Sequence, residues 1–133
     1  MDKLVLQCNS DYYRNVYYNP DSYGLRPVAE IGFSSGSYEF DLRVVWADAE
    51  GRLWTARDSG CSCPTPFDNV GELDRVFNFD GLQQEYENDS GSGYVQGDAW
   101  REFRKAVLDA LDALAAASAP PVPERLPYRR FRF

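Results

Sequence analysis

Tyr38-Glu39-Phe40-Asp41-Leu42-Arg43-Val44-Val45-Trp46-Ala47, followed by Asp48-Ala49-Glu50-Gly51 and Arg52-Leu53-Trp54-Thr55-Ala56-Arg57, is the stretch on which the fold turns. Tyr38, Phe40, Leu42, Val44 and Trp46 alternate with Glu39, Asp41, Arg43 and Val45. That period of two puts each set on one face of a strand, and it predicts one apolar face and one mostly wet face. Asp48 to Gly51 has the composition of a type I turn closed by a left-handed glycine, a three-residue hairpin with a bulge. In that register Asp48 pairs with Arg52, Trp46 with Trp54 and Val44 with Ala56. Both indoles then share the buried face, a cross-strand pair contributing roughly 0.2–1 kcal/mol relative to Ala–Ala. Arg43 meets Arg57 on the wet face, where Glu39 and Asp41 relieve the repulsion.

Working outward, Leu4–Cys8 and Arg26–Phe33 read as strands, the second ended by Gly32 and the Ser34-Ser35-Gly36 turn. The segment between them is irregular and tyrosine-rich, with a turn signal at Asn19-Pro20-Asp21. Downstream, Leu73–Phe79 reads as a further strand, and residues 80–97, which include Asn88-Asp89-Ser90-Gly91-Ser92-Gly93, as a mobile surface loop. Asp98–Ser118 is a helix with Asp98 as its N-cap. Trp100, Phe103, Val107, Leu111 and Leu114 recur at steps of three and four, forming one apolar stripe. Arg101, Arg104 and Lys105 lie early and Asp109 and Asp112 late, an order that opposes the helix dipole. Pro120 and Pro121 stop the helix. The expected architecture is α+β: an antiparallel sheet of four to five strands packed against one long C-terminal helix. A single domain over 1–118 precedes an extended Pro/Arg tail over 119–133.

Composition narrows the function classes. The 133 residues contain no histidine, which removes most hydrolytic, phosphoryl-transfer and metal-site schemes. The formal charge is −7, yet Arg125, Arg129, Arg130 and Arg132 crowd the last ten residues beside a single acid, Glu124. The body is therefore more acidic than the whole and repels phosphate backbones, which makes it a poor nucleic-acid partner. At the amino terminus, Leu4-Val5-Leu6 is too short for the apolar core of a signal peptide, and no stretch has the length of a membrane span. Three cysteines, an odd number, argue against a secreted disulfide scaffold and for reduced thiols inside a cell.

The most particular chemistry lies in Gly60-Cys61-Ser62-Cys63-Pro64-Thr65-Pro66-Phe67. Pro64 and Pro66 force the residues before them into extended conformations, and the run ends on Phe67, placed to plug the edge of the core. A rigid loop of this kind loses little entropy on binding. Cys61 and Cys63 with Cys8 offer an alternative, a thiolate metal or redox site. Structural zinc, however, favours four ligands in pairs spaced two to four residues apart, and the spacing here is one. A nucleophilic cysteine would lack a histidine base. Glu39 and Asp41 share a strand face and could flank a sugar, although Arg43 and Arg57 beside them suit a solvated ion network. Pro120-Pro121-Val122-Pro123-Glu124-Arg125 fits a P-x-x-P-x-R ligand of an SH3-type groove. The Arg-aromatic end that follows can dock on the acidic body or on a second copy, forming a homo-oligomer through the tail.

Val45-Trp46, the Asp48–Gly51 turn, Leu53-Trp54 and Asp58-Ser59-Gly60-Cys61-Ser62-Cys63-Pro64-Thr65-Pro66-Phe67 resemble a family of small uncharacterised proteins encoded by actinobacterial phages and their hosts. The resemblance covers roughly residues 30–80, and Gly-Cys-Ser-Cys-Pro with the following Pro-Phe is its distinctive part. These relatives are domains of unknown function, so no catalytic residue or cofactor carries over. The resemblance implies a phage accessory protein in a bacterial cytoplasm. An excess of arginine over lysine, 12 against 2, agrees with a high-GC genome. The expected function is non-enzymatic, without cofactor or membrane contact: recognition of a host or phage protein. Tyrosine-rich segments give large amphipathic contact area at low entropic cost. The expected surface combines Tyr12, Tyr13, Tyr17 and Tyr18, the loop residues Cys61, Cys63, Pro64 and Phe67, and Arg129, Arg130 and Arg132.

Overall fold

The computed structural model describes residues 3–6, 15–33, 39–61, 67, 70–90 and 97–118. Five strands form one antiparallel sheet: β1 (Lys3–Val5), β2 (Arg26–Gly32), β3 (Glu39–Ala47), β4 (Leu53–Cys61) and β5 (Glu72–Val76), in spatial order β1-β5-β4-β3-β2. Two helices follow, α1 (Asp80–Ser90) and α2 (Gly97–Ser118). The α+β class and the long C-terminal helix are as the sequence predicts.

The hairpin reproduces the expected register: Trp46 opposite Trp54, Val44 opposite Ala56, Arg43 opposite Arg57. Gly51 has φ +85°, and its N–H bonds the Asp48 carbonyl at 3.0 Å. Asp48 does more than begin the turn. Its Oδ1 accepts from the Glu50 and Arg52 amides at 3.0 and 2.9 Å. Its Oδ2 accepts from Arg52 Nε at 2.7 Å and from Trp54 Nε1 at 3.1 Å. A buried indole, 2% exposed, thereby finds the partner its N–H requires. Burial works to raise the Asp48 carboxyl. Hydrogen bonds from the Trp54 and Arg52 side chains and the Arg52 amide, with the Arg52 charge, outweigh it and hold the group below the usual carboxylate value.

Both faces of the sheet are buried, which corrects the expectation of one wet face. The indole face carries Val44, Trp46, Trp54, Ala56 and Leu73, and it is closed by Val16, Leu25 and Phe67 from irregular backbone. The opposite face carries Ile31, Val45, Ala47, Leu53 and Val76, and it is closed by Phe79, Leu82, Trp100, Phe103 and Val107. The long helix thus lies on the face that the alternation marks as wet. Val45 and Leu53, both fully buried, belong to the core it covers, and α2 runs closest to β2.

Residues 80–90 form a helix rather than a loop, a second correction. Asn78 Oδ1 accepts the Asp80 N–H at 2.9 Å, an N-terminal cap that starts α1. Leu82 and Tyr86, four apart, give α1 its apolar side. Tyr86 stacks on Trp100 at 3.9 Å and 5°, fixing α1 to α2. The expected stripe on α2 holds: Trp100, Phe103 and Val107 are buried, with Leu111 half-buried beyond them. Asp98 lies inside the first turn of α2 and pairs with Arg101, rather than capping the helix. Lys105 pairs with Asp109 at 3.2 Å, and Arg104 lies over the Phe79 ring at 5.8 Å, so the early cations have local partners despite the helix dipole. The first strand spans Lys3–Val5, shorter than expected, and the fifth stops at Val76 so that Asn78 can cap α1.

The free edges of the sheet are blunted. β1 has three residues, and β2 carries Pro27 with a register shift between Pro27 and Ala29. Short edges, proline and bulges are the usual protection against edge-to-edge pairing.

Candidate functional site: an aromatic platform at the root of the Cys-Pro loop

The irregular segment that closes the indole face is organised by Asn15. Its side-chain oxygen accepts the amides of Tyr17 at 2.9 Å and Tyr18 at 3.2 Å, and its carbonyl accepts the Asn19 amide at 2.9 Å. Asn15 is itself buried, so this Asx-type turn fixes two successive tyrosines from beneath. A short 3-10 turn, Pro20–Tyr23, follows and ends at Gly24 with φ +73°. Leu25 then enters the core and β2 begins.

Phe67 meets this segment from the other side. It is 1% exposed and has φ +67°, a left-handed backbone that side-chain-bearing residues adopt only when their surroundings hold them there. Two contacts do so. The Phe67 amide donates to Asp58 Oδ2 at 2.8 Å, and its ring fills the gap between the two layers of aromatics. The ring stacks on Tyr17 at 5.4 Å and 17°, and it meets Trp46 edge-on at 5.6 Å and 84°. Tyr18 meets Tyr17 edge-on at 5.1 Å and 88° and is 40% exposed. The result is a continuous ladder, Trp46–Phe67–Tyr17–Tyr18, from the sheet to the surface. Such pairs contribute roughly 0.5–1.5 kcal/mol each beyond their buried area.

Tyr17 also closes a polar contact. Its hydroxyl donates to the Glu30 carboxylate on β2, with oxygen distances of 3.1 and 3.2 Å. Burial first, and then the Glu30 charge, push the phenol up to about 12. The ring is neutral throughout the physiological range.

The ladder relates the expected surface residues to one another. Tyr17, Tyr18 and Phe67 come together. Phe67 fills its expected role as a core plug and is too buried to touch a partner. Cys61 ends β4 opposite Glu39. Tyr12, Tyr13, Cys8, Cys63, Pro64, Arg129, Arg130 and Arg132 lie outside the described residues. Among the described residues, no three Asp, Glu, His or Cys side chains converge as metal ligands. No described helix is long and apolar enough to cross a membrane.

The carboxylate reading of Asp41 meets a different arrangement. Arg57 Nε and Nη2 donate to the two Asp41 oxygens, each at 2.8 Å, and the guanidinium lies 4.0 Å over the Phe33 ring. Arg43 is held by Glu85 of α1, its Nε donating at 2.9 Å, and Glu85 also lies 3.4 Å from Arg57. Two arginines facing each other across the hairpin are thus neutralised by one acid from the strand and one from a helix. Asp41 is occupied as a structural partner, not free as a general acid or base. Sequence reasoning missed Glu85, because it read α1 as a loop. It also missed Asn15 and Asp58, whose roles depend on nearby backbone geometry.

The family model of a domain of unknown function, DUF7574, matches residues 14–117. The chain belongs to this family. The DUF7574 match begins one residue before Asn15 and takes in the aromatic ladder, the Cys-Pro segment and all but the last residue of α2. β1 and the tail fall outside it. No curated protein and no solved structure matches the chain.

Proposed function

We propose that this DUF7574 domain is a non-enzymatic binding protein, a phage accessory product that engages a host or phage protein in the bacterial cytoplasm. The contact surface is centred on Tyr18 and the Cys-Pro loop, with the tyrosines before it and the arginine tail extending the area. The single observation that carries the reading is the ladder through Tyr17 and Phe67, because it unites the tyrosine segment and the root of the loop as one rigid unit. A platform anchored this way gives up little entropy when a partner closes on it. An exposed tyrosine braced by a second ring is the type of side chain that dominates binding energy at interfaces. The phage context comes from the Gly60–Phe67 motif.

The test is affinity capture from actinobacterial lysate, followed by calorimetry with the purified partner. Wild-type protein is expected to retain one partner specifically, and Tyr18→Ala to weaken that binding by at least about tenfold, the scale of an interface anchor. Lys105→Ala, on the far helix, should leave it unchanged. Retention of nothing above background, or equal retention by Tyr18→Ala, removes the reading. Stoichiometric zinc that disappears in Cys61→Ser and Cys63→Ser would replace it with a thiolate site.

A further inference from the structure

A cleft of about 450 Å³ opens beside the β3–β4 turn, on the side where α2 ends. Leu25 and Ala47, both buried, form its floor, while Asp21 and Glu50 stand exposed on its rim. Gly51 belongs to the same wall, and a Leu114 methyl lies 3.7 Å from the position a β-carbon would take there. The helix therefore delivers the chain to this cleft. Ser118 follows Leu114 by four residues, about 6 Å of helix. Fifteen residues remain, 119–133, with four prolines, four arginines and one acid.

We propose that this tail folds back in cis and occupies the cleft, seating an arginine between Asp21 and Glu50. Three observations support that occupant. The first is tether length: a proline-rich chain rises about 3.1 Å per residue, so the segment reaches the cleft from Ser118 with most of its length to spare. The second is charge. The tail is the basic part of an acidic protein. The last turn of α2 has no basic side chain, so the negative end of the helix dipole adds to the field at the tail's origin. The third is which acids remain to be paired. Both Asp48 oxygens are engaged by Arg52, Trp54 and the turn amides. Glu50 uses Oε1 for Arg52, and Asp21 makes no ion pair among the described residues. Arg26 stands on the same rim and repels a second cation, so the cleft takes one guanidinium. Covalent attachment presents that arginine at an effective concentration in the millimolar range, which favours contact within one chain over contact between chains at micromolar protein.

This concerns the free chain and does not depend on the protein-binding reading. The test uses the full chain and reads backbone amides by NMR, with hydrogen exchange on the turn. Two variants are compared with wild type: one with Arg125, Arg129, Arg130 and Arg132 all changed to Glu, and one with Asp21→Lys and Glu50→Lys. The expected result is that both variants free residues 119–133, seen as sharper tail signals. Amides of 21–26 and 48–52 should exchange roughly two- to fivefold faster in both, as for loss of an exposed ion pair. Amides of β5 should not change. Salt at 0.5 M should mimic the variants. Identical tail signals in all three proteins overturn the proposal. So do shifts that depend on protein concentration together with dimer mass in sedimentation, which would assign the tail to a second copy.

Discussion

The two faces of the sheet are closed in opposite ways. On the helical face, α1 and α2 present Leu82, Trp100, Phe103 and Val107 from regular backbone, each placed by the helical repeat. On the indole face, single residues do the same work from irregular backbone: Val16, Leu25 and Phe67, each held by its own hydrogen bonds or turn. A helical lid spreads its stabilisation over many similar contacts. A lid made of individual anchors concentrates it, and each anchor also fixes the surface segment attached to it. That difference puts the candidate binding surface on the indole side.

The largest effect should come from the anchors themselves. Phe67→Ala and Phe103→Ala each empty a buried aromatic position, and each should destabilise the domain by about 3–5 kcal/mol in urea unfolding. If Phe67→Ala loses less than about 1 kcal/mol, the indole face has no such plug and the contrast between the faces fails. A smaller loss is expected at the ion network on the helical face. Glu85→Gln removes a charge-assisted pair from half-buried Arg43 and should destabilise by about 1.5–3 kcal/mol. Unchanged unfolding would show that α1 does not clamp the hairpin.

Asp48 offers a sharper probe, through pH. Its carboxyl lies below the ordinary value in the folded state, so its stabilisation is complete above the unfolded pKa, near 4, and is lost as pH falls through the lower folded value. Asp48→Asn should therefore be less stable than wild type at pH 7, by about 1–3 kcal/mol. The gap should narrow steadily as pH drops below about 4. A gap independent of pH would mean that the charge on Asp48 contributes nothing. The smallest effect belongs to Tyr17. Absorbance titration should show this phenol ionising near 12 while exposed tyrosines ionise near 10. Because its folded pKa is raised, its stabilisation is intact below about pH 10 and is lost as pH rises through 12. Glu30→Gln should bring its titration downward, with burial keeping it above the ordinary value.

The same contrast explains what was legible in the sequence. The β3–β4 register could be read in full, because alternation and the Asp48–Gly51 turn are local signals that agree with each other. The α2 stripe was equally readable from its 3.6-residue period. The face on which α2 packs was not. Arg43 and Asp41 made that face look wet, while Val45, Ala47 and Leu53 on the same face were already apolar. α1 escaped notice because Leu82 and Tyr86 are its only buried or half-buried apolar residues, and the Asn-Asp-Ser-Gly run beginning at Asn88 reads as loop. Phe67 was recognised as a plug from the prolines before it. Its partners Asp58 and Tyr17 were not, since no periodicity links positions 17, 58 and 67. They meet only in the folded chain, where the Phe67 ring stacks on Tyr17 and its amide donates to Asp58.

The most direct measurement is a double-mutant cycle between Tyr17→Leu and Phe67→Leu, read by equilibrium unfolding. The ladder predicts a coupling of about 0.5–1.5 kcal/mol, with the double variant less destabilised than the sum of the singles. Strict additivity would show that the tyrosine segment and the loop anchor are independent, and the platform built on them would not exist.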